Sequence, residues 1–253
     1  MSDSWSDLWL SRVGARLYAC EAGRGAPLVL LHGGLATHAA CRPLAAALIS
    51  RHRVITPDLR ASGRSHFAGP LDWDLFADDI AALLRSLDLP RAAIGGLSFG
   101  AGVATRVALR HPDLVSALII LGPAYGGASL GLSPVQQAAM DTMAAAGARA
   151  LTDGISALFP LFDALPPPTR TRALALVADY DPASVAALTS FMAAGSHPFA
   201  SGADLAAITA PAFVVPGTDP EHPPAIADVY LRLPRATRAT DASSLAAFLA
   251  QLD

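Results

Sequence analysis

A serine lies between two glycines in a Gly-x-Ser-x-Gly pattern formed by Gly96, Ser98 and Gly100. Small residues at these positions suit a strained turn from a strand into a helix, on which the serine hydroxyl is exposed as a nucleophile. An apolar stretch at 92–94 precedes the pattern and an amphipathic stretch at 99–110 follows it, as such a turn requires. The spacing therefore favours nucleophilic chemistry at Ser98 over a bystander serine in a glycine-rich turn.

Three further segments could serve the same chemistry. They are residues 30–34 (Leu-Leu-His-Gly-Gly), 57–65 (Pro-Asp-Leu-Arg-Ala-Ser-Gly-Arg-Ser) and 216–223 (Pro-Gly-Thr-Asp-Pro-Glu-His-Pro). With the serine pattern, and in this order and spacing, they resemble the α/β-hydrolase superfamily over nearly the whole chain. The resemblance implies an α/β-hydrolase fold: a mostly parallel sheet with helices on both faces and an inserted helical cap.

The resemblance also implies an oxyanion hole. The family supplies backbone N–H groups after its third strand and after the nucleophile, so the matching donors are Gly34, with Leu35 as a further candidate, and Phe99. Such donors point at charge that develops only in the transition state, and the loss of one costs about 3 kcal/mol. Asp58 and Arg60 match a turn of the family that fixes the neighbouring loop, so we expect a structural role for them.

The acid of the site is expected after a late strand, where Asp219 matches the family's loop. The family places its histidine after the last strand, but no histidine follows His222 and the corresponding loop, residues 240–244, reads Thr-Asp-Ala-Ser-Ser. A serine hydroxyl without an imidazole has no efficient proton acceptor. Another histidine must therefore substitute, or the chemistry differs.

His222 is the preferred base because it lies three residues beyond Asp219, on a loop that the fold would bring toward Ser98. Residues so close in sequence can also point apart, so this pairing is a hypothesis. The other candidates for the base are His38, His197 and His32, and a site without a triad is a further alternative. For His32, a structural role in shaping its loop is preferred to direct catalysis.

The elements that must position these residues follow from hydrophobic periodicity. Strands are predicted at 27–31, 53–56, 92–94, 115–121, 211–215 and 236–240, and helices at 41–50, 74–87, 99–110 and 243–252. This alternation predicts a parallel sheet covered on both faces. Residues 125–205 break the alternation with Ala-rich helical segments, so they are predicted to form a cap on a core of residues 1–124 and 206–253.

The substrate pocket is expected between the sheet and the cap. Its candidate lining is His32, Met140, Met143, Phe159, Phe162, Phe191, Met192 and His197. Most of these side chains could instead pack the cap helices onto the sheet. Because the region is apolar and poor in charge, the expected substrate is a small apolar ester, thioester or lactone.

Composition removes other classes of function. The 253 residues suit a single domain. The net charge of −3 argues against binding of nucleic acid. All 18 basic residues are arginine, and the lack of lysine argues against Schiff-base and P-loop chemistry. Two cysteines are too few for a metal knuckle, and we expect no metal or cofactor. The apolar runs are too short to cross a bilayer, and the acidic N-terminus is unlike a signal peptide. We therefore expect a cytoplasmic protein. A homodimer is one option for its oligomeric state.

The leading hypothesis is a serine hydrolase that forms an acyl intermediate on Ser98. The first alternative is a non-hydrolytic enzyme on the same fold, a lyase, cyclase or isomerase such as those of secondary metabolism, in which a histidine base would be dispensable. The second is a ligand-binding homologue that has lost catalysis.

Overall fold

The chain forms an eight-stranded sheet in a computed structural model that describes residues 4–178 and 180–252. The strands are β1 (Ser6–Arg12), β2 (Ala15–Ala22), β3 (Ala26–Leu31), β4 (His52–Pro57), β5 (Ala92–Leu97), β6 (Val115–Leu121), β7 (Ala212–Val215) and β8 (Ala236–Arg238). Their order in the sheet is β1-β2-β4-β3-β5-β6-β7-β8. Strand β2 is antiparallel to both of its neighbours, and the other pairs are parallel.

Helices connect the parallel strands. They are α1 (Arg42–Ala46), α2 (Trp73–Ser86), α3 (Phe99–Arg110), α4 (Pro134–Asp153), α5 (Pro167–Val177), α6 (Pro182–Ala193), α7 (Pro224–Tyr230) and α8 (Leu245–Leu249). Short 3-10 helices lie at His38–Cys41, Pro112–Leu114, Ile155–Phe162, Asp204–Ala207 and Ala242–Ser244. None of the helices in the described ranges is long and apolar enough to cross a membrane.

The predicted α/β-hydrolase fold is confirmed. The central strands are buried almost throughout, because their Leu, Ile and Val side chains meet helices on both faces of the sheet. One large apolar cluster joins the sheet to α2, α3 and part of the α4 to α6 region. A smaller cluster lies on the opposite face, between the sheet and helices α1 and α8.

Two strands were absent from the sequence prediction. Strands β1 and β2 form a hairpin whose register pairs Arg12 with Ala15 across a turn at Gly14, where φ is +70°. The side chains of β1 alternate between exposed and half-buried, and the apolar run of this edge strand, Leu8–Leu10, is only three residues long. The first and last predicted helices are also shorter than expected, at Arg42–Ala46 and Leu245–Leu249.

All regular elements described between β6 and β7 are helical: α4, α5, α6 and the 3-10 helices at Ile155–Phe162 and Asp204–Ala207. Helix α4 packs closely on α6, because a Cβ on Gly147 would overlap the Thr189 side chain. We refer to residues 125–205 as the cap, and the division of the chain into core and cap stays a prediction.

Candidate active site

Ser98 occupies the turn between β5 and α3. Its backbone has φ 52° and ψ −113°, a conformation that L residues rarely adopt. A Cβ on Gly96 would overlap the carbonyl of Gly100, and a Cβ on Gly100 would lie 2.5 Å from the carbonyl oxygen of His32. The two glycines are therefore required by close backbone packing, and this packing holds the strained serine at the carboxyl end of β5.

Three side chains form one hydrogen-bonded chain at Ser98. The Nε2 atom of His222 lies 2.8 Å from the Ser98 Oγ atom. The Nδ1 atom of His222 lies 2.8 Å from Oδ1 and 3.0 Å from Oδ2 of Asp219. Because a carboxylate only accepts hydrogen bonds, Nδ1 carries the proton and Nε2 is left to accept from the serine hydroxyl.

The loop between β7 and α7 carries both Asp219 and His222. Asp219 Oδ1 accepts the backbone N–H groups of Glu221 at 3.0 Å and of His222 at 2.9 Å, which closes a tight turn. Burial raises the pKa of Asp219, but the hydrogen bonds from His222 and Glu221 outweigh this effect and hold the pKa below its usual value. Asp219 is therefore ionised at neutral pH.

The loop after β3 lies beside Ser98. A Cβ on Gly33 would be 3.5 Å from the Ser98 Cβ, and one on Gly34 would be 3.9 Å from the Cβ of Phe99. Leu35 has φ +49°, and its carbonyl oxygen accepts a hydrogen bond of 3.0 Å from the hydroxyl of Tyr180 in the cap. The predicted oxyanion residues Gly34 and Phe99 are thus neighbours in space.

His32 lies beneath this loop, fully buried. Its Nε2 atom accepts the N–H of Leu59 at 3.0 Å, so its Nδ1 atom donates to the carbonyl of Gly33 at 2.7 Å. Desolvation lowers its pKa, which keeps the ring neutral. Because both ring nitrogens bond backbone groups, His32 supports the loop and has no free nitrogen for substrate, contrary to its prediction as a pocket residue.

The other candidate histidines make no hydrogen bond to the serine hydroxyl in the part of the chain that the structure describes. His38 Nδ1 lies 2.8 Å from Asp58 Oδ1, and the same carboxylate accepts the His38 N–H at 2.7 Å. His197 is half-buried, its ring centroid is 5.8 Å from that of Tyr125, and desolvation lowers its pKa. Within the described ranges, the histidine that hydrogen-bonds Ser98 is His222.

Asp58 and Arg60 have the structural role expected for them. Arg60 is buried and donates to both carboxylate oxygens of Asp79 in α2, each at 2.7 Å. Asp58 accepts the N–H of Arg64 at 2.9 Å in addition to its bonds from His38. These contacts fix the loop after β4 against α2 and against the start of the 3-10 helix at His38–Cys41.

The predicted pocket residues fall into two groups. Phe191 and Met192 reach the serine side: Phe191 lies 6.2 Å from Phe99 between ring centroids, and a Cβ on Gly34 would be 2.5 Å from the Met192 Cε atom. Met140 and Met143 belong to the same large apolar cluster. Phe159 and Phe162 pack instead against a separate cap cluster, which also contacts Leu35.

Sequence reasoning did not identify Tyr180. It is 145 residues from Leu35 in the chain, and no local pattern could indicate that its hydroxyl bonds the loop after β3. Metal ligation has no candidate in the described part of the chain, where no three His, Cys, Asp or Glu side chains are grouped to bind an ion.

Comparisons with known proteins identify the family and the fold of the chain. The model of the α/β hydrolase fold family matches residues 26–157, just over half of the chain. The 2-hydroxymuconate semialdehyde hydrolase of Pseudomonas sp. (strain CF600) is 33% identical over 116 residues, which are 44% of this chain and 41% of that protein. A pimeloyl-[acyl-carrier protein] methyl ester esterase of Aeromonas hydrophila subsp. hydrophila is 37% identical over 99 residues, 38% of this chain and 37% of that protein. The matches span about two fifths of these relatives.

Solved structures resemble the chain over nearly all of its length. The enol-lactonase from Burkholderia xenovorans LB400 superposes with a TM-score of 0.78 at 20% identity, covering 97% of this chain and 99% of that one. The bromoperoxidase from Bacillus anthracis gives a TM-score of 0.79 at 19% identity, covering 98% and 99%. At these identities the likeness concerns the fold. From the family match and the fold, the chain belongs to the α/β hydrolase fold family.

Proposed function

We propose that this protein is a serine hydrolase that cleaves a small apolar ester, thioester or lactone through an acyl intermediate on Ser98. The hydrogen-bonded chain from Ser98 through His222 to Asp219 carries the proposal. It supplies a nucleophile, a base with a free nitrogen and an ionised group that orients the base. The missing C-terminal histidine is replaced by one from the loop that also holds the acid.

In the acylation step, Ser98 Oγ attacks the substrate carbonyl carbon while His222 Nε2 takes the hydroxyl proton. The N–H groups of Gly34 and Phe99 stabilise the negative charge on the carbonyl oxygen. The tetrahedral intermediate collapses as the protonated imidazole gives its proton to the leaving oxygen or sulfur. The acyl group is then esterified to Ser98, and the alcohol or thiol is free.

In the deacylation step, water is the nucleophile and Ser98 Oγ is the leaving group. Water attacks the acyl carbon, His222 takes a proton from that water, and the imidazole returns a proton to Ser98 Oγ as the carboxylic acid leaves. A lactone would give one hydroxy acid, because its leaving oxygen stays attached to the acyl chain. Asp219 stabilises the imidazolium that forms in both steps, and its low pKa keeps it charged for this purpose.

The substrate class rests on the surroundings of the serine. Met192 and Phe99 are apolar neighbours of Gly34, and Phe191 packs against the ring of Phe99. The names of the relatives refer to 2-hydroxymuconate semialdehyde and to a pimeloyl-[acyl-carrier protein] methyl ester, and a structural neighbour is an enol-lactonase. A compact acyl group on an ester or lactone suits these surroundings best.

Labelling by a fluorophosphonate and turnover of p-nitrophenyl acetate and butyrate test the proposal. The wild type should label at Ser98, and Ser98→Ala and His222→Ala should each lower kcat at least about 1,000-fold. His66→Ala, which changes an exposed histidine, is the matched control and should retain full turnover. Turnover that survives Ser98→Ala would remove acyl-enzyme chemistry and favour a non-hydrolytic enzyme, and no turnover with a co-purified ligand would favour a binding protein.

A further inference from the structure

Gln136 lies in the first turn of α4, is 2% exposed, and has each of its amide atoms hydrogen-bonded. Its Nε2 atom donates to the carbonyl oxygens of Ala124 at 2.9 Å and of Glu221 at 2.8 Å. Its Oε1 atom accepts the N–H of Ser133 at 3.0 Å. One side chain therefore joins the start of a cap helix, the segment after β6 and the loop between β7 and α7.

The second of these carbonyls belongs to the residue immediately before His222. Among the hydrogen bonds of the described residues, two side chains outside the loop at 216–223 bond to it: Ser98, through the imidazole, and Gln136, through the Glu221 carbonyl. The remaining side-chain bonds of the loop run from Asp219 to its own neighbours. Gln136 is therefore the anchor that does not itself take part in the proposed reaction.

Such an anchor is needed because Asp219 and His222 are three residues apart on one turn. The hydrogen bond between them fixes the imidazole relative to its own loop, and both groups move together if the loop moves. It does not set the distance from Nε2 to the Ser98 hydroxyl, which lies on a different element. An anchor on a third element can set that distance, and misplacement of a reacting group by about 1 Å costs ~100-fold in rate.

We propose that Gln136 is a positioning residue that sets the distance between His222 Nε2 and Ser98 Oγ from the cap. The proposal rests on the function proposed above. It also gives the cap a second role, because the N-terminus of α4 then holds the base as well as covering the site. The two donors of a neutral amide are required, since two carbonyl oxygens lie within reach of one nitrogen.

Gln136→Glu and Gln136→Met separate this role from helix capping. Gln136 forms a capping box with Ser133, and glutamate serves that box as well as glutamine does. Glutamate keeps the acceptor for the Ser133 N–H but places a second oxygen against the carbonyls of Ala124 and Glu221. A residue that only caps α4 would tolerate glutamate, whereas a positioning residue would not.

The experiment compares ester turnover of Gln136→Glu and Gln136→Met with that of Gln137→Glu and Gln137→Met. Gln137 is the adjacent glutamine, and its amide bonds Asp141 and the Ala193 carbonyl instead. We expect kcat to fall about 10-fold to 100-fold in both Gln136 variants, with KM within about twofold of wild type. The Gln137 variants should stay within about twofold in both constants.

A second readout needs no turnover. In protein labelled with 15N-histidine, the imidazole resonances of His222 should shift in both Gln136 variants and stay in place in both Gln137 variants. Unchanged His222 resonances, or a Gln136→Glu variant with full kcat, would overturn the positioning role. If wild type shows no ester turnover but the resonances shift, the hydrolase proposal is wrong and the anchoring of His222 stands.

Discussion

Gly217 and His222 are packed so closely that a Cβ on Gly217 would overlap both the carbonyl oxygen and the Cβ of His222. The loop therefore folds back on itself, with the imidazole directed out of the fold-back and toward Ser98. The φ of Gly217 is not in the left-handed region, so close approach, rather than backbone conformation, demands a glycine here.

Gly217→Ala tests this contact. The added methyl group must displace the backbone and side chain of His222, so we expect kcat for a p-nitrophenyl ester to fall at least about 10-fold. Gly131→Ala is the control: its Cβ would meet nothing within 4 Å, but its φ of +68° makes alanine strained. It should lose about 1 kcal/mol of unfolding free energy and keep its turnover. Equal activity in Gly217→Ala and wild type would contradict the fold-back argument.

The parallel part of the fold could be predicted because its strands are apolar on both faces. Residues Val115–Leu121 form such a strand, with its predicted and observed bounds identical. Strand β2 has a buried apolar run at 17–20 that could have identified it, whereas the apolar run of β1 is only three residues long. What makes it a strand is its pairing with β2 across the turn at Gly14, and that pairing depends on the rest of the sheet.

The candidate site also has local features that the sequence could predict and long-range contacts that it could not. The strained serine turn is a local feature, so its glycines mark it in the sequence. The side-chain pairing of Asp219 with His222 is also local, but the sequence alone left open whether the two side chains would converge on Ser98. The anchors Gln136 and Tyr180 act over 85 and 145 residues of chain, and only the packing of the cap brings them to their partners.

Asp58 gives the folded state a dependence on pH. Burial raises its pKa, but the hydrogen bonds from His38 and from the Arg64 N–H prevail, and the pKa is held below its usual value of about 4. A carboxyl with a lowered folded pKa stabilises the native state fully above its unfolded pKa. This contribution is lost as the pH falls from about 4 through the folded pKa.

Asp58→Asn should therefore lower the unfolding free energy by about 2 kcal/mol at pH 7, where the charged acceptor is lost. The difference between variant and wild type should shrink as the pH is lowered below about 4. Urea unfolding at a series of pH values measures it. Asp88→Asn, which changes an exposed aspartate, should differ little from wild type at any pH, and a pH-independent deficit in Asp58→Asn would refute the charge argument.

Tyr180→Phe tests whether the cap supports the oxyanion loop. The change removes the hydroxyl that bonds the Leu35 carbonyl, so we expect about 1 kcal/mol less stability and a kcat reduced about threefold to tenfold. Tyr18→Phe is the matched control, because its hydroxyl bonds Asp7 at 2.8 Å in the β1 and β2 hairpin. The control should lose similar stability with no change in kcat. Similar kcat values in the two variants would remove the role of Tyr180 in the loop.

We expect Met192 to be the cap residue that selects the acyl group, because its Sδ and Cε atoms would lie 3.0 and 2.5 Å from a Cβ on Gly34. Met192→Ala vacates this space beside the proposed oxyanion site. The ratio of kcat/KM for p-nitrophenyl hexanoate over acetate should then rise about 10-fold, since the vacated space admits about two more methylenes and each buried methylene contributes about 0.8 kcal/mol.

Met192→Ala should also lower the unfolding free energy by about 2 to 3 kcal/mol, because the Met192 side chain that it removes is only 4% exposed. Leu205→Ala provides the comparison, because Leu205 is fully buried, belongs to the same apolar cluster and lies at the end of the cap, in the 3-10 helix at Asp204–Ala207. It should lose similar stability with the hexanoate to acetate ratio unchanged. If the two variants change that ratio equally, general loosening of the cap explains the effect, and Met192 does not select the acyl group.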